Sequence, residues 1–273
     1  DFAVTVAQTA MWIAECKMME ETNAILSKNL TPLPLTDSAK IVEGNALRMD
    51  WEALLSDDGR VEVENGRASR HFDYIMGNPP FIGARNKSAE QAADVEEIFN
   101  GWKNAGNLDY VTCWYKKALD VMRGTTTRAA FVSTNSICQG DGVATLWKPL
   151  FAGGLEIDFA WRTFVWDSEA TEKAHVHVVV IGFGVNADGQ QKDALLPRRL
   201  ASRNPATSKW LYDSDGKKTA AHHINGYLMS APDIFVEKAS SPICCVPETS
   251  YGSFALDDGN FTISDLEYQE LKQ

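Results

Sequence analysis

Phe2, Val6, Thr9, Ile13 and Cys16 recur at helical spacing, with alanine and glutamate between them, so the pattern predicts a helix over residues 1–29. Thr31-Pro32-Leu33-Pro34 ends it, because proline lacks the amide donor that the next turn needs. A short strand is expected at 40–42, running into Glu43-Gly44-Asn45-Ala46-Leu47, and the polar stretch 56–70 reads as a loop or surface hairpin. Phe72 to Met76 is an apolar strand that stops abruptly at Gly77-Asn78-Pro79-Pro80-Phe81. A short helix is expected around 92–99. Next, Leu108, Val111, Tyr115, Ala118 and Met122 share one helical face. A strand at 129–133, a helix at 143–150, an alternating strand through Leu155, Ile157, Phe159 and Trp161, and a valine-rich strand at 175–183 complete the series. This order predicts an α/β fold, a parallel sheet layered by helices and closed by an antiparallel hairpin. Beyond 184 the periodicity breaks into turn-rich and proline-punctuated pieces. The expected organisation is therefore one sheet domain over 1–190, a linker over 191–221 and the start of a second domain over 222–273.

Composition changes this picture in two places. A chain of 273 residues with 44% hydrophobic residues is neither disordered nor a disulfide scaffold, and its five cysteines include no C-x-x-C pair, which fits a reduced, cytoplasmic protein without a structural zinc. No apolar run is long enough to span a bilayer and no signal peptide is recognisable. The net charge of −11 argues against a polyanionic partner, yet residues 191–225 hold seven Lys/Arg against three Asp, a basic segment able to meet phosphate. His175 and His177 share a strand face, but no third ligand lies nearby in sequence, so no metal site is expected.

The chemistry concentrates in Asn78-Pro79-Pro80-Phe81, at the carboxyl end of a strand, where open α/β sheets bind their ligands. Two prolines fix φ and stiffen the turn, so the Asn78 side chain and the Pro79 carbonyl become two preset acceptors. A planar primary amine carries two N–H donors that such a pair can take, and Phe81 offers a face on which its ring can stack. Hydrogen bonds that improve as the nitrogen becomes tetrahedral would favour the transition state over the ground state.

These residues, together with Gly44-Asn45-Ala46-Leu47 and Asp50-Trp51, Leu108-Asp109-Tyr110, the strand Phe131 to Ile137, the segments Trp161 to Trp166 and His175 to Phe183, and Ile224-Asn225-Gly226-Tyr227-Leu228, carry a resemblance. The chain resembles an amino-group DNA methyltransferase, in particular the methyltransferase portion of the MmeI-like single-chain restriction–modification enzymes. The resemblance implies a class I, Rossmann-like S-adenosylmethionine-dependent methyltransferase sheet with a terminal antiparallel hairpin, followed by the start of a target-recognition domain. It implies methyl transfer from S-adenosylmethionine to the N6 of an adenine flipped out of double-stranded DNA, in a restriction–modification or related defence system. Asn78, Pro79, Pro80 and Phe81 would be catalytic; Asn45, Ala46 and Leu47 would contact the cofactor; Phe164 or Trp166, with no choice between them, would stack on the target base. The family's glycine-rich cofactor loop and acidic ribose ligand precede the point where this sequence starts, and its endonuclease region lies further upstream. The chain is thus expected to be a fragment that binds cofactor poorly alone. Two other readings remain: a protein glutamine-amide methyltransferase, and a non-catalytic DNA-recognition module.

Overall fold

A computed structural model describes residues 2–26, 41–55, 62–64, 67–69, 71–166, 176–185, 209–237, 268, 269 and 271. Helix α1 (Phe2–Leu26) forms where the apolar spacing predicts it, although Phe2 and Ile25 remain more than four-fifths exposed. The expected strand at 40–42 is not formed at its described positions, since Ile41 and Val42 are irregular. The polar stretch that follows takes the hairpin alternative: β1 (Glu62–Glu64) pairs antiparallel with β2 (Arg67–Ser69).

Strand β3 (Tyr74–Gly77) delivers the Asn-Pro-Pro turn. Helix α2 (Ala89–Ile98) begins earlier than its apolar pattern suggests because Ser88 and Gln91 form a capping box, each side chain accepting the other's backbone N–H. Then follow α3 (Thr112–Met122), β4 (Arg128–Thr134), α4 (Gly142–Ala152), β5 (Leu155–Trp166), β6 (Val176–Val185), β7 (Lys209–Tyr212) and β8 (Lys218–Ala221). Six of these strands make one sheet in the order β3-β4-β6-β5-β7-β8. β3 and β4 are parallel, and β6 is inserted antiparallel between β4 and β5. The carboxyl ends of β3, β4 and β5 therefore share one edge.

Alternation on β4 turns Ala129, Phe131 and Ser133 inward, where they meet the apolar face of α3. Tyr115 is the centre of this layer. Its ring stacks on Phe183 at 5.2 Å and meets Phe131 and Trp147 edge-on, while its hydroxyl reaches Ser133 Oγ at 2.8 Å. On β5 strict alternation fails: a register shift between Ile157 and Phe159 turns Ala160, rather than Phe159, into the core.

The sheet extends past the expected boundary at 190. Residues 209–212 and 218–221, within the predicted basic linker, are β7 and β8, and Lys209 is buried, bonded to Glu156 at 3.1 Å and to the Ile157 carbonyl at 2.8 Å. Inside the sheet this cation is spent on β5 and is unavailable to a phosphate. One compact unit covers residues 1–236, with Ile224 and Leu228 in its core; the second, 237–273, lies almost wholly outside the described residues. None of the described helices is long and apolar enough to cross a membrane.

Candidate active site

The turn after β3 is built as its residue types demand. Gly77 lies against the Phe131 ring, where an added Cβ would stand 3.5 Å from it. Pro79 is buried, whereas Asn78 and Pro80 are exposed. Beyond them the Ile82 N–H donates to the Pro80 carbonyl at 3.1 Å. Among the described residues, no donor reaches either the Asn78 side-chain amide or the Pro79 carbonyl. At the edge of the sheet, both are free of hydrogen bonds from the described residues. Phe81, next to them, is half-buried.

Asn78, Pro79 and Pro80 form one wall of a cleft of about 420 Å³, within the range of small-molecule sites. Ala46, Trp51, Trp114 and Phe131 contribute other walls, so the cleft brings the predicted cofactor loop to the predicted catalytic turn. The lining is apolar and aromatic, as a nucleoside would require, with the polar Asn78 at its edge.

The loop at 45–51 is locked from within. Asn45 Oδ1 accepts the Leu47 N–H at 3.0 Å, its carbonyl accepts from Arg48 and Met49, and Trp51 Nε1 donates to the Ala46 carbonyl at 2.7 Å. Lys117 closes the loop from α3, donating to the carbonyls of Leu47 and Met49 at 2.6 and 2.5 Å. Leu47 is buried in the core and Ala46 faces the cleft, while the Asn45 amide nitrogen donates to Asp94 at 3.2 Å. The predicted cofactor trio is thus divided: Ala46 meets the cleft, and Asn45 and Leu47 shape the loop that carries it.

Asp94 is a residue that sequence reasoning missed. It is buried on α2 and accepts from Arg48 at 2.7 Å, from the Tyr110 hydroxyl at 2.6 Å and from Asn45. Burial pushes its carboxyl up, but the hydrogen bonds from Arg48, Tyr110 and Asn45 outweigh burial and hold it below the usual carboxylate range. The Tyr110 phenol is pushed up to about 12, first by burial and then by its bond to this carboxylate. The available signal was an acid beside Val95 on the helix face that also presents Ile98. Asp109 was missed too, and it stands between the turn and the end of β4: its carboxylate accepts from Ala84 N, Thr134 Oγ1 and Ser136 Oγ.

Phe164 and Trp166 lie at the carboxyl end of β5, on the same edge as Asn78 but outside the lining of the cleft. Phe164 and Thr134 both pair with Val178, so they stand two strand spacings apart, about 10 Å. The rings of Phe164 and Trp166 are 6.4 Å apart, with Trp166 exposed and Phe164 half-buried.

The family model described as "MmeI, DNA-methyltransferase domain" matches residues 1–196. The chain belongs to the MmeI DNA-methyltransferase domain family. Its residues are 32% identical, over 99% of the chain, to DNA methyltransferase A of Bacillus subtilis (strain 168), of which they span 28%. The solved structure of the Type IIL restriction-modification enzyme MmeI in complex with DNA superposes with a TM-score of 0.75 at 33% identity, covering 96% of this chain and 32% of that one. The mixed sheet with its helical layer is accordingly a Rossmann-like methyltransferase fold. The chain spans about a third or less of the length of these relatives. Within the MmeI domain family, the matched residues include both the Asn45 loop and the Asn78 turn.

Proposed function

We propose that the chain is the methyl-transfer part of a site-specific, adenine-specific DNA methyltransferase, which moves a methyl group from S-adenosylmethionine to the N6 of a base flipped out of duplex DNA. The observation that carries this reading is the pair of unengaged acceptors, the Asn78 amide and the Pro79 carbonyl, beside the cleft that Ala46 also lines. The cofactor would supply an electrophilic methyl group on a sulfonium sulfur, and the cleft's apolar walls of Trp51, Trp114 and Phe131 suit its nucleoside portion. Asn78 and Pro79 would each accept one N–H of the exocyclic amine. As the nitrogen turns from planar to tetrahedral, its lone pair leaves the ring system and its N–H bonds become better donors, so these acceptors stabilise the transition state selectively. Phe81 would stack on the extruded base, a contact of about 1–3 kcal/mol. The positively charged product nitrogen then sheds one proton towards solvent past the exposed Asn78.

The remaining cofactor contacts, in this reading, come from a segment outside residues 1–273. The position of β3 at the end of the sheet supports it, with Tyr74 and Met76 on one face 67% and 80% exposed. Residues 237–273, rather than the expected 222–273, are proposed as the start of a target-recognition domain, because Ile224 and Leu228 belong to the core of the first unit. Double-stranded DNA is proposed as the partner, a restriction–modification or related defence system as the setting, and the cytoplasm as the location. The MmeI structure, determined with DNA, supports the choice of DNA over a glutamine side chain. The test is mass spectrometry of nucleosides from DNA of many sequences treated with the full-length protein and S-adenosylmethionine. N6-methyladenine is expected with the wild type and none with Asn78→Ala. Methylation confined to cytosine or to protein, or none at all, would overturn the proposal.

A further inference from the structure

Two loops leave the shared edge of the sheet side by side, one after β3 carrying the Asn78 turn and one after β4 beginning at Asn135. A single carboxylate holds both. Asp109 Oδ1 accepts the Ala84 N–H at 2.8 Å, and Oδ2 accepts from Thr134 Oγ1 at 3.2 Å and from Ser136 Oγ. The next residue adds a second grip on the same loop, since the Tyr110 N–H donates to the Ile82 carbonyl at 2.9 Å. Residues 82–84, immediately beyond Phe81, are therefore fixed at two points by consecutive residues.

Helix capping does not account for this carboxylate. Asp109 meets α3 only through its main-chain carbonyl, which accepts from Thr112 N and Oγ1, and α3 has no side-chain cap. Its charge is directed at the two loops instead. We propose that Asp109 is a positioning residue for methyl transfer: it sets the Asn78-Pro79-Pro80-Phe81 turn against the end of β4, without itself touching the reacting atoms. This rests on the function proposed above. The two prolines transmit the constraint, because the turn has few soft torsions in which a displacement of Ala84 could be absorbed. In-line transfer between amine, methyl and sulfur tolerates little error, and a misplacement of about 1 Å costs on the order of a hundredfold in rate.

The experiment is steady-state and single-turnover methyl transfer to cognate duplex DNA by the full-length protein. Asp109→Ala is expected to lower kcat about a hundredfold while the KM values for DNA and S-adenosylmethionine stay within about threefold. Asp109→Asn keeps an acceptor for Ala84 and offers an amide to the two hydroxyls, so it should recover kcat to within about tenfold of wild type. If Asp109→Ala fails to fold, Thr134→Val combined with Ser136→Ala removes the β4 side of the clamp and should lower kcat about tenfold. An undiminished kcat in the Ala variant overturns the inference, as does a loss that appears only in KM. Where the Ala variant does not fold, an undiminished kcat in the double variant does the same. A wild type that transfers nothing to DNA overturns the proposed function and this inference with it, whereas an active wild type beside a fully active Asp109→Ala overturns the inference alone.

Discussion

Removing one hydroxyl tests whether Asp94 is the post that steadies the loop at 45–51. Tyr110→Phe deletes the 2.6 Å buried bond to the Asp94 carboxylate and leaves the ring, with its edge-on contact to Trp114 at 5.4 Å, in place. A hydrogen bond to a charged acceptor contributes about 1.5–3 kcal/mol, and this one is short and dry, so a loss of about 2 kcal/mol is expected. For a domain of this size, each kcal/mol moves Tm by roughly 2–4 °C, giving a drop of about 4–8 °C. The decisive assay is a double-mutant cycle in urea with Asp94→Ala, which removes the acceptor as well as its charge. If the bond matters as the geometry says, the two changes are sub-additive by about 1.5 kcal/mol or more. The same variant should raise the KM for S-adenosylmethionine more than that for DNA, because Asp94 also holds Arg48 and Asn45 of the loop that lines the cleft. A coupling below about 0.5 kcal/mol would refute the reasoning, since sites that do not interact add within that margin.

Two further outcomes follow from packing and titration. Gly226→Ala should destabilise by about 1–3 kcal/mol in a thermal melt, because its Cβ would stand 2.7–2.8 Å from three atoms of the buried Trp147 side chain, which is itself pinned by its Nε1 bond to the Ile137 carbonyl. Burial raises the Cys113 thiol from 9.0 to about 12 and the Cys138 thiol to about 11, so both are favoured neutral in the fold. Raised folded-state pKa values give stability that is complete below pH 9 and lost as pH climbs towards 11–12. Tm should therefore fall on going from pH 8 to pH 10.5, and fall less in Cys113→Ala/Cys138→Ala; equal slopes would exclude these thiols as the cause.

Much of the fold was legible because its signals are local. The period-2 pattern of β4 and the 3.6 period of α3 mark a strand and a helix whose inward faces can be named one by one, from Phe131 to Tyr115. Other features were hidden because the force that decides them is not in the apolar pattern. α2 starts where a Ser–Gln capping box puts it, and the inward face of β5 changes at a register shift that no hydrophobicity reveals. Residues 209–221 read as basic linker because charge was counted and pairing was not: Lys209 carries its charge into the sheet only because Glu156 and the Ile157 carbonyl await it there.

The site divides along the same line. As residues of one cleft, Asn78, Pro79 and Pro80 were proposed from the rigidity written in their residue types, and Ala46 from its loop's resemblance to a family's motif. Asp94 and Asp109 were not, since a carboxylate's partners lie 46 and 25 residues away in sequence and are assembled only when the sheet closes. Both acids do the same kind of work. Each collects donors from separate loops, one at the loop that brings Ala46 to the cleft and one at the turn that carries Asn78, and Tyr110 touches both systems, through its hydroxyl to Asp94 and its N–H to Ile82. A loop is otherwise the most mobile part of a fold. The proposed transfer, with two loops meeting at one cleft, needs each held to within a fraction of an ångström, and the buried Asp94 and half-buried Asp109 can supply that hold because three donors converge on each side chain.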